Sequence, residues 1–187
     1  MGQHLRILFT PIPGLVVVET SPISDVRGTF SRLYCENELA PHIGNRRIIQ
    51  VNHSRSVKVG TLRGMHFQKS PHAEMKFVRC IKGEVWDVAV DLRKGSSTFL
   101  HWHATKLSSS NMFMMVIPEG FAHGFQVLEA ESELLYLHTA PFVPEAEGGL
   151  HYRDPRLAIN WPLPVTDLSF RDDELAVLKK DFHGIAL

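Results

Sequence analysis

The sequence predicts an all-β domain, an antiparallel sandwich or barrel, and three observations carry that prediction. Short runs rich in β-branched and aromatic residues recur along most of the chain, each run is bounded by Gly, Pro, Asn or Ser, and hardly any segment repeats its apolar residues at helical spacing. With 187 residues, 44% of them hydrophobic, the chain has the length and composition of one domain with a sizeable core. A single domain over residues 1–187 is expected.

Taken in order, Ile7-Leu8-Phe9 and Gly14 to Glu19 read as early strands separated by Pro11 and Pro13. Turn chemistry at Pro22 and Asp25-Val26-Arg27-Gly28 precedes an alternating run, Thr29 to Tyr34, that predicts another strand. A short helix is expected from Glu36 to Leu39, closed by Pro41. Ile48 to His53 is the next strand, and a polar loop, Ser54 to Lys58, leads into a strand over Thr61 to Gln68. Phe77 to Ile81, a Lys82-Gly83 turn and Val85 to Leu92 carry the pattern of a hairpin. In its second arm Trp86, Val88, Val90 and Leu92 share an apolar face, while Val85, Asp87, Ala89 and Asp91 share a mixed one. Phe99 to Leu107, Met112 to Ile117, Gly124 to Leu128 and Leu134 to Thr139 complete the strands, and Leu175, Val177 and Leu178 predict one short terminal helix within Asp172 to Asp181.

Twenty basic and twenty acidic side chains cancel, so no general attraction to nucleic acid or to an anionic membrane is expected, and any anion must be recognised locally. No run approaches the roughly 20 apolar residues of a membrane span, and the N-terminus lacks a hydrophobic signal core. A cytoplasmic protein is the expectation, with Cys35 and Cys80 as reduced thiols.

Within the stretch Thr61-Leu62-Arg63-Gly64-Met65-His66-Phe67-Gln68, an arginine and a histidine stand three apart on a strand, where alternation would send them to opposite faces. Gly64 between them is the mark of a bulge, which would bring both to one face. The pair then offers a fixed cation beside a titratable imidazole, suited to holding an anion and moving a proton. A half-buried strand histidine beside a surface arginine accounts for the octapeptide equally well.

Eleven histidines on a small β barrel raise the metal-binding cupin pattern, a His-x-His pair, a following Glu and a later His. Here His66, Gln68, Glu74 and His123 occupy those places, and a neutral amide at Gln68 is a poor ligand for the transition metals concerned. No metal is expected. His101 and His103 share a strand face but lack further ligands at helpful spacing. Arg27, Arg63, Lys76 and Arg171 stand beside turns or motif residues rather than in a basic run, an arrangement from which guanidinium groups can converge on a phosphate in a barrel mouth. Phe30, Tyr136 and Phe142 could line the same mouth.

Several motifs in order, Asp25-x-Arg27-Gly28-x-Phe30, Gln50-x-Asn52-His53-Ser54, Leu62-Arg63-Gly64-x-His66-Phe67-Gln68, Lys76-x-Val78-Arg79, Gly83 to Arg93, Pro118-x-Gly120-Phe121-Ala122-His123-Gly124-Phe125 and Trp161-Pro162, resemble the dTDP-4-dehydrorhamnose 3,5-epimerase family through nearly the whole chain. The resemblance implies a cupin or jelly-roll antiparallel β-barrel with short peripheral helices near the C-terminus. It implies cofactor-free epimerisation at C3 and C5 of a dTDP-4-keto-6-deoxyhexose by a cytoplasmic homodimer.

By the same resemblance His66 is the base that removes the proton beside the ketone, and Asp172, in Ser169-Phe170-Arg171-Asp172, is its carboxylate partner, with Asp173 the alternative. Tyr136 is the acid, and a phenol with an ordinary pKa near 10 arrives protonated. Lys76 stabilises the enolate. Arg27, Phe30, Gln50, Asn52, Arg63, His123, Glu147 and Arg171 match substrate-holding positions, and Phe142 stands where a tyrosine stacks on the base in the family. Leu137 replaces the lysine that often follows the acid, and Arg32 an acidic residue two after Phe30. A mono-epimerase inverting only C3 or C5 would keep the same residues, and a metal-free cupin that only binds a sugar nucleotide remains the reading from another class, one that gives no reason for an acid and a base together.

Overall fold

In the computed structural model, which describes residues 4–187, thirteen strands and two short α-helices follow in order. They are β1 (Leu5–Phe9), β2 (Val16–Thr20), β3 (Ile23–Asp25), β4 (Gly28–Phe30), α1 (Glu36–Ile43), β5 (Gln50–Ser56), β6 (Leu62–Gln68) and β7 (Lys76–Lys82). Then come β8 (Glu84–Asp91), β9 (Trp102–Ser108), β10 (Phe113–Ile117), β11 (Phe121–Val127), β12 (Ser132–His138), a 3-10 turn (Pro144–Ala146), β13 (Glu147–Gly149) and α2 (Phe170–Asp173). One sheet has the order β1-β2-β10-β7-β12-β5 and the other β13-β6-β11-β8-β9, and β3 pairs only with β4. All these pairings are antiparallel. The architecture is the cupin jelly roll.

The period of two along each strand sorts side chains into four layers. On β7 and β10, Val78, Cys80, Met115 and Ile117 point between the sheets, where Val85, Ala89, Phe125 and Val127 meet them from the other side. Their neighbours Phe77, Met114 and Val116 point outward beneath Leu39 and Ile43 of α1. The outer face of the second sheet, with Val88, Val90 and Leu92, is covered by the C-terminal segment through Leu157, Leu178, Phe182 and Ile185. Phe77, fully buried in this way, would cost about 3–5 kcal/mol to truncate to alanine.

Four expectations are corrected. Lys76–Lys82 and Glu84–Asp91 do not form a hairpin: β7 pairs with β10 and β12, and β8 with β9 and β11. Gly83, at φ +75°, turns the chain from one sheet into the other, because two strands that each carry an inward apolar face bury more by facing than by pairing. Pro41 lies inside α1, which is closed instead by Gly44, whose N–H reaches the Ala40 carbonyl at 3.0 Å. The alternation of Thr29 to Tyr34 ends as a strand at Phe30, and the carbonyls of Arg32 and Leu33 accept from Thr20 and Arg79. The terminal helix is only Phe170–Asp173, and the longest helix, α1, lies early in the chain rather than near its end. Beyond α2, Leu178 N–H donates to the buried Asp154 carboxylate and the Ala176 carbonyl accepts from His151, so groups a longer helix would use internally are engaged elsewhere.

Candidate active site

Register builds the site. On β12, Tyr136 and His138 share the inward face, with Val78 and Lys76 of β7 opposite them on one side and Asn52 and Gln50 of β5 on the other. On the facing sheet, His66 pairs with His123 and Arg63 with Phe125, which leaves two residues on β6, Gly64 and Met65, against one on β11, Gly124. That is a β-bulge, and it brings Arg63 and His66 to one face. Gly64 is required there: its φ is +125°, and a Cβ would lie 2.5 Å from Gly124 Cα and 2.9 Å from the His123 carbonyl.

Together these strands and residues 167–172 enclose a cavity of roughly 680 Å³ at one end of the barrel, lined by Asn52, Ser54, Arg63, His66, Lys76, His123, Tyr136, His138, Arg171 and Asp172 among others. His66 Nε2 lies 2.7 Å from Asp172 Oδ1. Asp172 is buried, its other oxygen accepts the Gly64 N–H at 3.2 Å, and its own N–H donates to Ser169 Oγ, the cap of α2. Burial alone would raise the Asp172 carboxyl, but His66, the Gly64 N–H and Ser169 hold it below the usual carboxylate range. Asp172 rather than Asp173 meets the histidine.

Across the cavity, Tyr136 Oη lies 3.3 Å from Ser54 Oγ, and burial pushes the phenol well above its ordinary pKa, so it holds its proton. Lys76 forms an ion pair with Glu74 at 3.3 Å, and Glu74 also meets His138 Nδ1 at 2.8 Å. Behind these, His123 Nε2 contacts the buried Asp87 at 2.8 Å, a carboxyl raised by burial against the opposing pull of His123 and Lys76. Arg63 donates to Ser56 Oγ at 3.1 Å and to the Arg55 carbonyl at 3.3 Å, and makes no ion pair among the described residues. The cavity thus has Arg63 as a guanidinium without an ion-pair partner among the described residues, while Arg171 is paired to Glu147.

Other expected residues stand further off. Gln50 is held between Asn52 and the Phe142 N–H at the rim, and Glu147 enters through its ion pair with Arg171. Arg27 and Phe30 do not line this cavity: they sit exposed on the β3–β4 hairpin, where Arg27 pairs with Asp25. Gln68 is engaged by backbone groups, donating to the His72 and Pro141 carbonyls and accepting from Val143 N–H. Among the described residues no three His, Cys, Asp or Glu side chains converge on a point that would hold a metal ion. In the sequence, Glu74 stands out only as a place in the metal-binding cupin pattern, and Asp87 and Ser54 carry no site role. The signal for Asp87 was its place on the mixed face of β8, since an inward carboxylate needs a partner.

The family model for dTDP-4-dehydrorhamnose 3,5-epimerase matches residues 9–180. The chain is also 41% identical over 168 residues to the dTDP-4-dehydrorhamnose 3,5-epimerase of Salmonella typhimurium, covering 89% of this chain and 91% of that one. The chain belongs to the dTDP-4-dehydrorhamnose 3,5-epimerase family. It is an epimerase, an isomerase of carbohydrates. A crystal structure of the Legionella pneumophila dTDP-6-deoxy-D-glucose-3,5-epimerase in complex with dTDP-4-keto-L-rhamnose superposes on it with a TM-score of 0.88 at 41% identity, covering 93% of each chain. The epimerase is also 38% identical over 175 residues to a Streptomyces niveus dTDP-4-dehydrorhamnose 3-epimerase, covering 93% of this chain and 84% of that one. No helix among the described residues is long and apolar enough to cross a membrane.

Proposed function

We propose that the epimerase inverts C3 and C5 of dTDP-4-dehydro-6-deoxy-D-glucose to give dTDP-4-dehydro-L-rhamnose, with His66 as base and Tyr136 as acid. The observation that carries this reading is the disposition of the two groups: a carboxylate-held imidazole on one sheet and a protonated phenol on the other, both lining one cavity. A sugar between them meets the base on one face and the acid on the opposite face, as inversion demands.

The chemistry follows from acidity. A hydrogen beside the C4 ketone is far less acidic than an imidazolium, so removal by His66 needs the negative charge on the C4 oxygen to be stabilised, and Lys76 is the cation at the cavity wall that supplies it. Asp172 orients the imidazole and stabilises its protonated form. Tyr136 then returns a proton to carbon from the other side, and exchange with solvent resets both groups before the second centre reacts. One proton leaves and one arrives at each carbon, so no redox cofactor enters. Arg63, Arg171, Asn52 and His123 hold the diphosphate and sugar, with Gln50, Glu147 and Phe142 at the nucleotide end. Arg27 and Phe30 reach a neighbouring site in a cytoplasmic homodimer.

Incubation with the substrate in D2O tests the reading by NMR. Deuterium at both C3 and C5 is expected, at one centre it marks a mono-epimerase, and at neither it leaves a binding protein. His66→Ala should abolish exchange and epimerisation together, by about 10²- to 10⁴-fold. Tyr136→Phe should let exchange with retained configuration outlast inversion, and an unchanged ratio would remove Tyr136 as the acid.

A further inference from the structure

A continuous chain of side chains runs from the rim of the cavity to Lys76, and its polarity is determined at its outer end. The backbone N–H of Phe142 can only donate, and it lies 3.0 Å from Gln50 Oε1. Gln50 Nε2 is thereby left to donate to Asn52 Oδ1 at 3.2 Å, and Asn52 Nδ2 in turn faces His138 Nε2 at 3.3 Å. An amide nitrogen has no lone pair to offer, so His138 Nε2 must be bare and the ring's proton sits on Nδ1, 2.8 Å from Glu74 Oε2. The other oxygen of Glu74 meets Lys76 Nζ at 3.3 Å. Glu74 and His138 are both buried, at 8% and 9% exposure, so neither has bulk water as a substitute partner.

Here the carboxylate is shared: one oxygen meets the ammonium and the other accepts a neutral N–H, so its charge is divided between two partners. A lysine bound tightly to Glu74 would have its charge cancelled where the enolate forms. A lysine without Glu74 would lose the anchor that keeps it at the wall.

We infer that Glu74 and His138 are positioning residues for Lys76, with His138 in its Nδ1–H form holding back a carboxylate that would otherwise draw the ammonium out of the cavity. The inference rests on the reading of Lys76 as the group that stabilises the enolate. Nothing in it requires either residue to touch the substrate's reacting atoms.

Two measurements test it. On the unaltered protein at neutral pH, ¹⁵N NMR of the imidazole rings reads the His138 tautomer directly: a protonated Nδ1 beside a bare Nε2 is expected, and an Nε2–H ring or an imidazolium overturns the inference. This arm needs no variant to fold. In the kinetic arm, His138→Phe keeps the ring's bulk and removes both nitrogens, so Glu74 closes on Lys76 and kcat falls by roughly 10- to 100-fold, the scale of a small misplacement, with KM within about threefold. Adding Glu74→Gln removes the charge that pulls while leaving an amide oxygen to anchor the ammonium, and the double variant should turn over at least about fivefold faster than His138→Phe alone. A merely structural role would make the second buried substitution an added loss, and a double variant no faster than the single one overturns the proposal. Lys76→Met measured alongside separates the two levels: unchanged kcat there discards the enolate role of Lys76 itself, whereas a loss there with an unaffected His138→Phe discards only the inference.

Discussion

In the proposed mechanism Asp172 acts through one 2.7 Å contact with His66, while its second oxygen is held by the Gly64 N–H. Asp172→Asn keeps the size of the side chain but offers an amide whose nitrogen can only donate, so the imidazole loses both its tautomer and the charge that supports its protonated form. kcat should fall by about 10²- to 10⁴-fold with KM little changed, checked by steady-state kinetics on a nucleotide sugar. Much of this scale was legible beforehand. The glycine between Arg63 and His66 announced a bulge, and Ser169-Phe170-Arg171-Asp172 placed the carboxylate by its resemblance to a family motif. What could not be read were the partners Asp87 and Glu74, because a histidine's hydrogen-bonding neighbour is chosen across a sheet or between sheets, and nothing in the order of residues states which strands will face.

At the scale of elements, the bulge in β6 and the loop after β8 each invite a test. Gly64→Ala would set a Cβ against Gly124 Cα and force a residue with a side chain into the positive-φ region that disfavours it. A loss of roughly 2–4 kcal/mol in denaturant unfolding is expected, together with a fall in kcat, since the same bulge aims Arg63 and His66. After β8, burial alone would raise the Asp91 carboxyl, but Arg93, Ser96 and Thr98 bring it from an ordinary 3.8 to about 2. A carboxyl depressed in the folded state contributes stability above its unfolded pKa and loses that contribution as pH falls from about 4 through about 2. Asp91→Asn should therefore cost on the order of 2 kcal/mol at neutral pH and flatten the acid limb, read from unfolding midpoints between pH 2 and 6. The misread hairpin belongs here as well. Lys82-Gly83 has the composition of a tight turn, but composition reports only that the chain reverses, and whether the next strand pairs beside the last or packs over it depends on both apolar faces at once.

Over the whole molecule, the β3–β4 hairpin stands apart: all six of its strand residues are exposed, including Ile23 and Phe30, with Val26 at its tip. Under the homodimer reading this arm is what a second copy covers, so Val26→Asp with Phe30→Ala should shift sedimentation from twice the single-chain mass to the single-chain mass and weaken substrate binding. An unchanged dimer with unchanged KM would remove the arm from both roles. The layered order of the fold carries one more consequence. His66 and Asp172 are 106 positions apart, and the second of them arrives with the segment that also clothes the outer face of the five-stranded sheet and supplies a wall of the cavity. A chain emerging from the ribosome therefore presents His66 long before the carboxylate that, in the proposed mechanism, orients it. A product cut short before α2 should lose at least as much activity as Asp172→Asn, whatever the rest of its strands achieve.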